Sequence, residues 1–213
     1  RVLDPFQTLE LVALRARLMH ETGQDQDGKM AAVLKLNLDT VEKIVNKASD
    51  QTGKELYIAN FNSPQQTVIS GQTSSIDAAC KIAKEYKGRA VVLPVSGAFH
   101  TPFMQEPALE LARFMDRLDW GNAHVPVHMN VNAQAEYQGL KIKELMQKQM
   151  TSSVRWVQLI EQQWASDVRQ WIEVGPKEIL AKLLKPNLKD CAETWTSQNI
   201  NNLEKAESFS VEA

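Results

Sequence analysis

Apolar residues along this chain change their spacing three times, and each change predicts a change of structure. Between Asp4 and about His20, Leu11, Val12, Leu18 and Met19 recur at helical intervals. The stretch opens with "DPFQ", in which Asp4 is placed to cap, Pro5 fits the first turn and Gln7 completes a capping box. The polar run "GQDQDGK" then breaks the pattern. After it, short apolar runs alternate with helical ones. Residues 30–36 ("MAAVLKL") read as a strand, and 39–48 as a helix with Val41, Ile44, Val45 and Ala48 on one face and an Asp39/Glu42 capping box. Residues 56–61 and 66–70 read as two strands joined by the turn "NSPQ". A helix over 73–86 and a strand over 89–95 complete the run.

The order β-α-β-β-α-β over residues 29–95 predicts a ferredoxin-like unit. Beyond it the spacing changes again, to helices separated by short strands. Helices are predicted from Met104, over 141–150, 154–164 and 177–184, with strands over 125–131 and 169–175. Such alternation points to an α/β layer with a parallel sheet. Residues 1–28 and 96–213 are therefore expected to form one larger α/β subdomain, interrupted by 29–95. After Pro186 the chain is polar, and its one predicted element is a short helix around "NNLEKAESF".

Composition narrows the function classes. The chain has 213 residues, 43% hydrophobic and 23% charged, with a formal net charge of -2. This charge provides no overall basic field for nucleic acid, and no apolar run approaches the length of a membrane span. Neither partner is expected. The two cysteines, Cys80 and Cys191, are isolated in sequence and suit a reducing compartment, so a cytoplasmic location is expected. The first residue is Arg1, with no secretory pattern after it, which predicts further sequence upstream.

Two residues stand out chemically. "VSGAFHTPFM" (95–104) puts His100 in a sharp connection between an apolar strand and a helix started by Thr101 and Pro102. A histidine ahead of a helix N-terminus feels the positive end of the dipole, which favours the neutral imidazole that a general base requires. The alternative is a solvated or structural loop histidine. Arg15 is flanked at i±3 and i±4 by Leu11, Val12, Leu18 and Met19, so its guanidinium is expected on a buried face. A buried guanidinium needs a carboxylate, either an internal Asp or Glu or that of a ligand. Arg17, with His20 and Glu21 one turn on, reads as a surface residue. His124 and His128 ("HVPVH") share a face of the predicted strand without a third ligand, so no metal is expected. There is no G-x-G-x-x-G, phosphate-loop lysine motif or G-x-S-x-G elbow.

Taken together, "NFNSPQQTVISG", "VSGAFHTPFM", "QMTSSVRW" and "IEVGP" make the chain resemble the malonyl-CoA:acyl-carrier-protein transacylases and the acyltransferase domains of polyketide synthases, over essentially its whole length. The resemblance implies an α/β-hydrolase-like subdomain (1–28 and 96–213) carrying a ferredoxin-like one (29–95). It implies transfer of a malonyl group from malonyl-CoA to the phosphopantetheine thiol of holo acyl carrier protein by a ping-pong Ser/His mechanism, with no cofactor. His100 matches the family's catalytic histidine, and Arg15 the arginine that pairs with the malonyl carboxylate. Gln149 matches a glutamine beside the histidine, whose imidazole is oriented by main-chain carbonyls. Asn60 and Asn62 match asparagines near the active site, although Asn beside Ser-Pro is also ordinary turn chemistry. Phe99 resembles an aromatic that favours malonyl over branched units, or is core.

Two features depart from the family pattern. The N-terminal third that carries the nucleophilic serine should precede "RVLDPF", and the usual "GPG" reads "GPK", with Lys177 expected to begin the following helix. The competing readings are a noncatalytic module that binds acyl-CoA or carrier protein, and an acyl hydrolase. The buried charge of Arg15 argues against hydrolysis of uncharged acyl groups.

Overall fold

A computed structural model describes residues 1–209 as a mixed α/β protein whose chain divides into two compact units, 1–159 and 160–213. In the first unit, helix α1 (Pro5–Asp25) runs five residues beyond its expected end at His20. The Asp4 carboxylate caps it by accepting the Phe6 amide at 2.9 Å, one residue short of the partner expected in a box with Gln7. Strand β1 (Gly28–Leu34), helix α2 (Leu38–Thr52), strands β2 (Leu56–Ser63) and β3 (Gln66–Gln72), helix α3 (Thr73–Glu85) and strand β4 (Arg89–Val92) follow in that order. They build a four-stranded antiparallel sheet in the order β2-β3-β1-β4. Strand β1 is central, and its residues Met30 to Val33 are all buried because both faces are covered. Ala31 and Val33 pack with Leu56 and Ile69 against Val41, Ile44 and Ala48 of α2 and Ile76, Ala79 and Ile82 of α3. Met30 and Ala32 point the other way, with Ala59 and Val68, against Leu93 and Phe99.

The cap of α2 differs from the expected Asp39/Glu42 box. The helix starts at Leu38, so Asn37 is the N-cap, and its side chain accepts the Thr40 amide at 3.1 Å and the Thr40 hydroxyl at 2.6 Å. The β2–β3 connection is tighter than expected: both strands extend into it, leaving only Pro64 and Gln65 as the turn. Next come a 3-10 turn (Pro102–Met104), α4 (Gln105–Met115), the two-residue strands β5 (Val127–His128) and β6 (Ala135–Glu136), α5 (Gly139–Lys148) and a second 3-10 turn (Gln149–Thr151). Helices α1 and α4 pack through Leu11, Leu18, Ala108, Leu111 and Met115, joined by Met104 and Met150. The expected strand 125–131 shrinks to β5, paired antiparallel with β6. His124 therefore lies outside any strand, and the shared face with His128 does not form.

Helix α6 (Trp156–Ala165) runs across the division of the chain. The second unit contains β7 (Gln170–Val174), α7 (Leu180–Asn187), β8 (Thr196–Ile200) and α8 (Leu203–Ser208). The parallel layer expected here consists, among the described residues, of one pair, β7 with β8. Helix α7 begins at Leu180, so Lys177 lies in the loop before it and does not start the helix. The Glu173 carboxylate accepts the amides of Ile179, Leu180 and Ala181 at 2.8 to 3.2 Å and so caps α7 from β7. Burial opposes its charge, yet these donors hold its pKa below the ordinary value. Trp164 stacks on Trp171 at 6.4 Å, and the Arg169 guanidinium lies 3.8 Å from the Trp164 ring centroid.

Candidate active site

His100 occupies the connection between β4 and the first 3-10 turn, in the left-handed region at φ 59°. A side chain with a Cβ is held there only when its surroundings over-determine the backbone. Several contacts do so. The Thr101 hydroxyl, fully buried, donates to the Ala98 carbonyl at 2.5 Å and accepts the Phe103 amide at 3.3 Å. Gln26, just past α1, donates through Nε2 to the Phe103 carbonyl at 3.2 Å. The loop also lies tight against the end of α1: a Cβ on Gly23 would collide with the Ser96 carbonyl oxygen. Gly97 itself has φ 134°, which favours glycine. Phe99 packs both with the α1–α4 cluster and with the sheet face of Met30 and Ala32, so its ring anchors the loop between two cores.

The imidazole is half-buried, and its Nδ1 lies 3.2 Å from the Gln149 main-chain oxygen. A carbonyl only accepts, so Nδ1 carries the proton and Nε2 is left as the basic nitrogen. Burial lowers the His100 pKa below its ordinary 6.5, opposed by the main-chain hydrogen bond to Gln149, helped by the charge of Arg15, and opposed again by a main-chain bond to Ser152. The neutral base is thus favoured mainly through desolvation, rather than through the helix dipole alone.

Gln149 joins the two outstanding residues. Its main-chain oxygen takes the imidazole proton, and its side-chain Oε1 accepts from Arg15 Nη2 at 2.7 Å. Arg15 lies 134 positions away in sequence. It is half-buried rather than fully inward, because α1 buries Leu11 and Leu18 but leaves Val12 57% exposed. Burial lowers its pKa, and among the described residues Arg15 has no ion pair with a carboxylate. No internal Asp or Glu among the described residues takes up its charge. Arg17 pairs with Glu21 at 3.9 Å on the surface.

Asn60 and Asn62 are half-buried in β2. The Asn60 backbone bridges to Val154 in the segment after Gln149, beside a register shift at Ile58 and Asn60. Asn62 lies nearer the hairpin turn. A cavity of about 520 Å³ opens beside His100, lined among others by Tyr57, Ile58, Pro102, Thr151 and Ser153. Tyr57 meets Phe103 edge to face at 6.2 Å, and its hydroxyl pKa is pushed up to about 12 by burial and by its bond to Glu55. Ser153 is a lining residue that the sequence does not mark, since "TSS" carries no signal of its own. No group of three or more potential metal ligands exists among the described residues, and none of the described helices is long and apolar enough to cross a membrane.

A half-buried neutral histidine in a left-handed loop stands beside an arginine with no carboxylate partner among the described residues, an arrangement compatible with acyl transfer. Residues 2–209 match the family model described as acyl transferase domain, and the chain belongs to that family. It is 35% identical over 175 residues to the malonyl CoA-acyl carrier protein transacylase of Bacillus subtilis (strain 168), which covers 82% of this chain and 55% of that protein. Among solved structures it is similar to an acyl carrier protein S-malonyltransferase from Vibrio cholerae, with TM-score 0.87 and 34% identity over 97% of this chain and 66% of the other. A malonyl-transacylase in complex with its type II polyketide synthase acyl-carrier protein matches with TM-score 0.86 and 27% identity, over 97% of this chain and 65% of that one. The chain thus spans between about half and two thirds of the length of these relatives.

Proposed function

We propose that the protein transfers a malonyl group from malonyl-CoA to the phosphopantetheine thiol of an acyl carrier protein, with His100 as the proton acceptor and Arg15 as the carboxylate selector. The reading rests on one observation above all: Gln149 holds both residues, His100 through its main-chain oxygen and Arg15 through its side chain. The names of the relatives support the substrate and the acceptor. The architecture that goes with this reading is a ferredoxin-like βαββαβ insert at 29–95 in an α/β-hydrolase-like subdomain formed by 1–28 and 96–213.

The nucleophile in this mechanism is a serine on a segment outside these residues. His100 Nε2 takes its proton as Oγ attacks the thioester carbonyl, the C–S bond breaks, and CoA leaves as the thiol with that proton, giving a malonyl ester. The carrier thiol then attacks the ester, again losing its proton to His100, and the serine oxygen recovers it. Each half-reaction leaves the base neutral, and because CoA departs while the malonyl group waits on the serine, kinetics are ping-pong. The Arg15 guanidinium binds the distal malonyl carboxylate through paired N–H donors, with Gln149 Oε1 keeping the fork in place.

The test is malonyl transfer to holo carrier protein by the complete gene product, resolved by mass. His100→Ala is expected to reduce transfer at least about a thousandfold with an unchanged thermal melt, in the range for loss of a general base that also activates a nucleophile. Because burial lowers the His100 pKa, its neutral form persists below pH 6.5, and the acidic limb of kcat/KM should fall below that value. Wild-type transfer by His100→Ala would remove the histidine from the mechanism. Binding of malonyl-CoA without transfer in the complete protein would favour the noncatalytic module.

A further inference from the structure

We propose that Ser153 is a positioning residue for His100: its hydroxyl splices the segment that holds the imidazole onto the edge of β2. In a regular strand successive carbonyls point to opposite edges. Here two neighbours turn to the same side: the Ile58 carbonyl accepts from Ser153 Oγ at 2.6 Å, and the Ala59 carbonyl accepts the Val154 amide at 2.8 Å. The register shift between Ile58 and Asn60 permits this. The splice continues as Phe61 donates its amide to the Val154 carbonyl at 2.9 Å. One main-chain ladder can serve only one of two such successive carbonyls, and the Ser153 side chain serves the other.

The segment between this splice and α5 is short. Gln149–Thr151 form the 3-10 turn, and Met150 at its centre is 1% exposed in the α1–α4 core. Met150 anchors the segment in the core and Ser153 anchors it on β2, and the main-chain groups next to these anchors, Gln149 before Met150 and Ser152 before Ser153, meet the His100 ring. Ser153 also lines the cavity beside His100. Losing the hydroxyl leaves the Ile58 carbonyl without that donor and lets the segment move relative to the ring.

The inference takes its functional meaning from the reading of His100 as the base, but its test requires no substrate. The side-chain nitrogens of His100 are followed by NMR in the complete gene product, assigned by the signal missing in His100→Ala. Unaltered protein should show a single Nδ1–H tautomer that titrates below the ordinary value. Ser153→Ala should mix the tautomers and move the titration further down, because the main-chain bonds that raise the His100 pKa weaken, while Ser153→Thr, which keeps the hydroxyl, should restore both. The other charged or titratable groups facing the site, Arg15 from α1, Glu42 from α2 and Tyr57 from β2, are untouched by these changes. If Ser153→Ala does not fold, the pair Ser153→Thr and Ser153→Val, alike in shape, isolates the hydroxyl in the same way. An unchanged His100 tautomer and titration without the hydroxyl overturns the proposal, as does loss of the whole fold in both hydroxyl-free variants. Failure of the transfer mechanism would appear separately, as activity retained in His100→Ala with these NMR results intact.

Discussion

In the proposed mechanism Arg15 links burial to substrate choice. A half-buried guanidinium with one side-chain amide as its partner among the described residues retains donors for a carboxylate brought by a ligand. In the complete gene product, Arg15→Ala is expected to lower kcat/KM for malonyl-CoA about a hundredfold, about 3 kcal/mol, the scale for losing one side of a buried charge pair. Arg15→Lys should recover only part, because an ammonium is a point charge without the planar fork. Acetyl-CoA carries no distal carboxylate, so its kcat/KM should stay level or rise in Arg15→Ala. Parallel kinetics with both substrates, alongside a thermal melt, check this, and an equal loss for both would show that Arg15 serves stability alone.

At the level of elements, caps decide where the helices begin, and they do so by backbone conformation more than by residue type. Asn37 caps α2 because it holds an extended backbone, φ -76° and ψ 167°, while Asp39 already lies inside the helix. Asn37→Ala should therefore cost about 1 kcal/mol, lowering Tm by about 2–4 °C for a chain of this size, and Asp39→Ala should cost less. Differential scanning calorimetry on the two variants tests the assignment, and the reverse order would return the cap to Asp39. The same reasoning explains α7, whose start is set by the Glu173 carboxylate reaching from another element.

For the molecule as a whole, the question is how an acidic carrier protein would approach. Lys84 at the end of α3, Lys87 and Arg89 before and in β4, and Lys148 at the end of α5 are the basic residues proposed to meet it. They are not equivalent, since Lys148 already bonds Glu144 at 2.6 Å. Glu144 is clasped by Lys141 as well, and its pKa falls to about 2. Charge reversal at Lys84, Lys87 or Arg89 should thus reduce kcat/KM for the carrier more than Lys148→Glu. Transfer at subsaturating carrier should also slow as salt rises. A carrier step insensitive to ionic strength would remove the basic surface from docking.

The sequence by itself determined the parts whose signals are local. Alternating and helical spacing placed β1 through β4 with α2 and α3, and a β-branched run followed by Thr-Pro placed His100 in a connection ahead of a helix. The quoted motifs carried the family. The tertiary structure decided what depends on distant partners. Strand β8, "TSQNI", has no strand-like alternation of apolar residues and becomes a strand by pairing in parallel with β7. The expected strand at 125–131 keeps two residues, the two that pair with β6. The sequence leaves the counterpart of Arg15 open between an acid and a ligand, and the fold brings the Gln149 side chain, far along the chain, within 2.7 Å. The role proposed for Ser153 arises only where β2 bulges and the Ile58 carbonyl accepts from its hydroxyl. Periodicity reports how a segment meets water and core, whereas hydrogen bonds between segments are set by which segments the fold brings together.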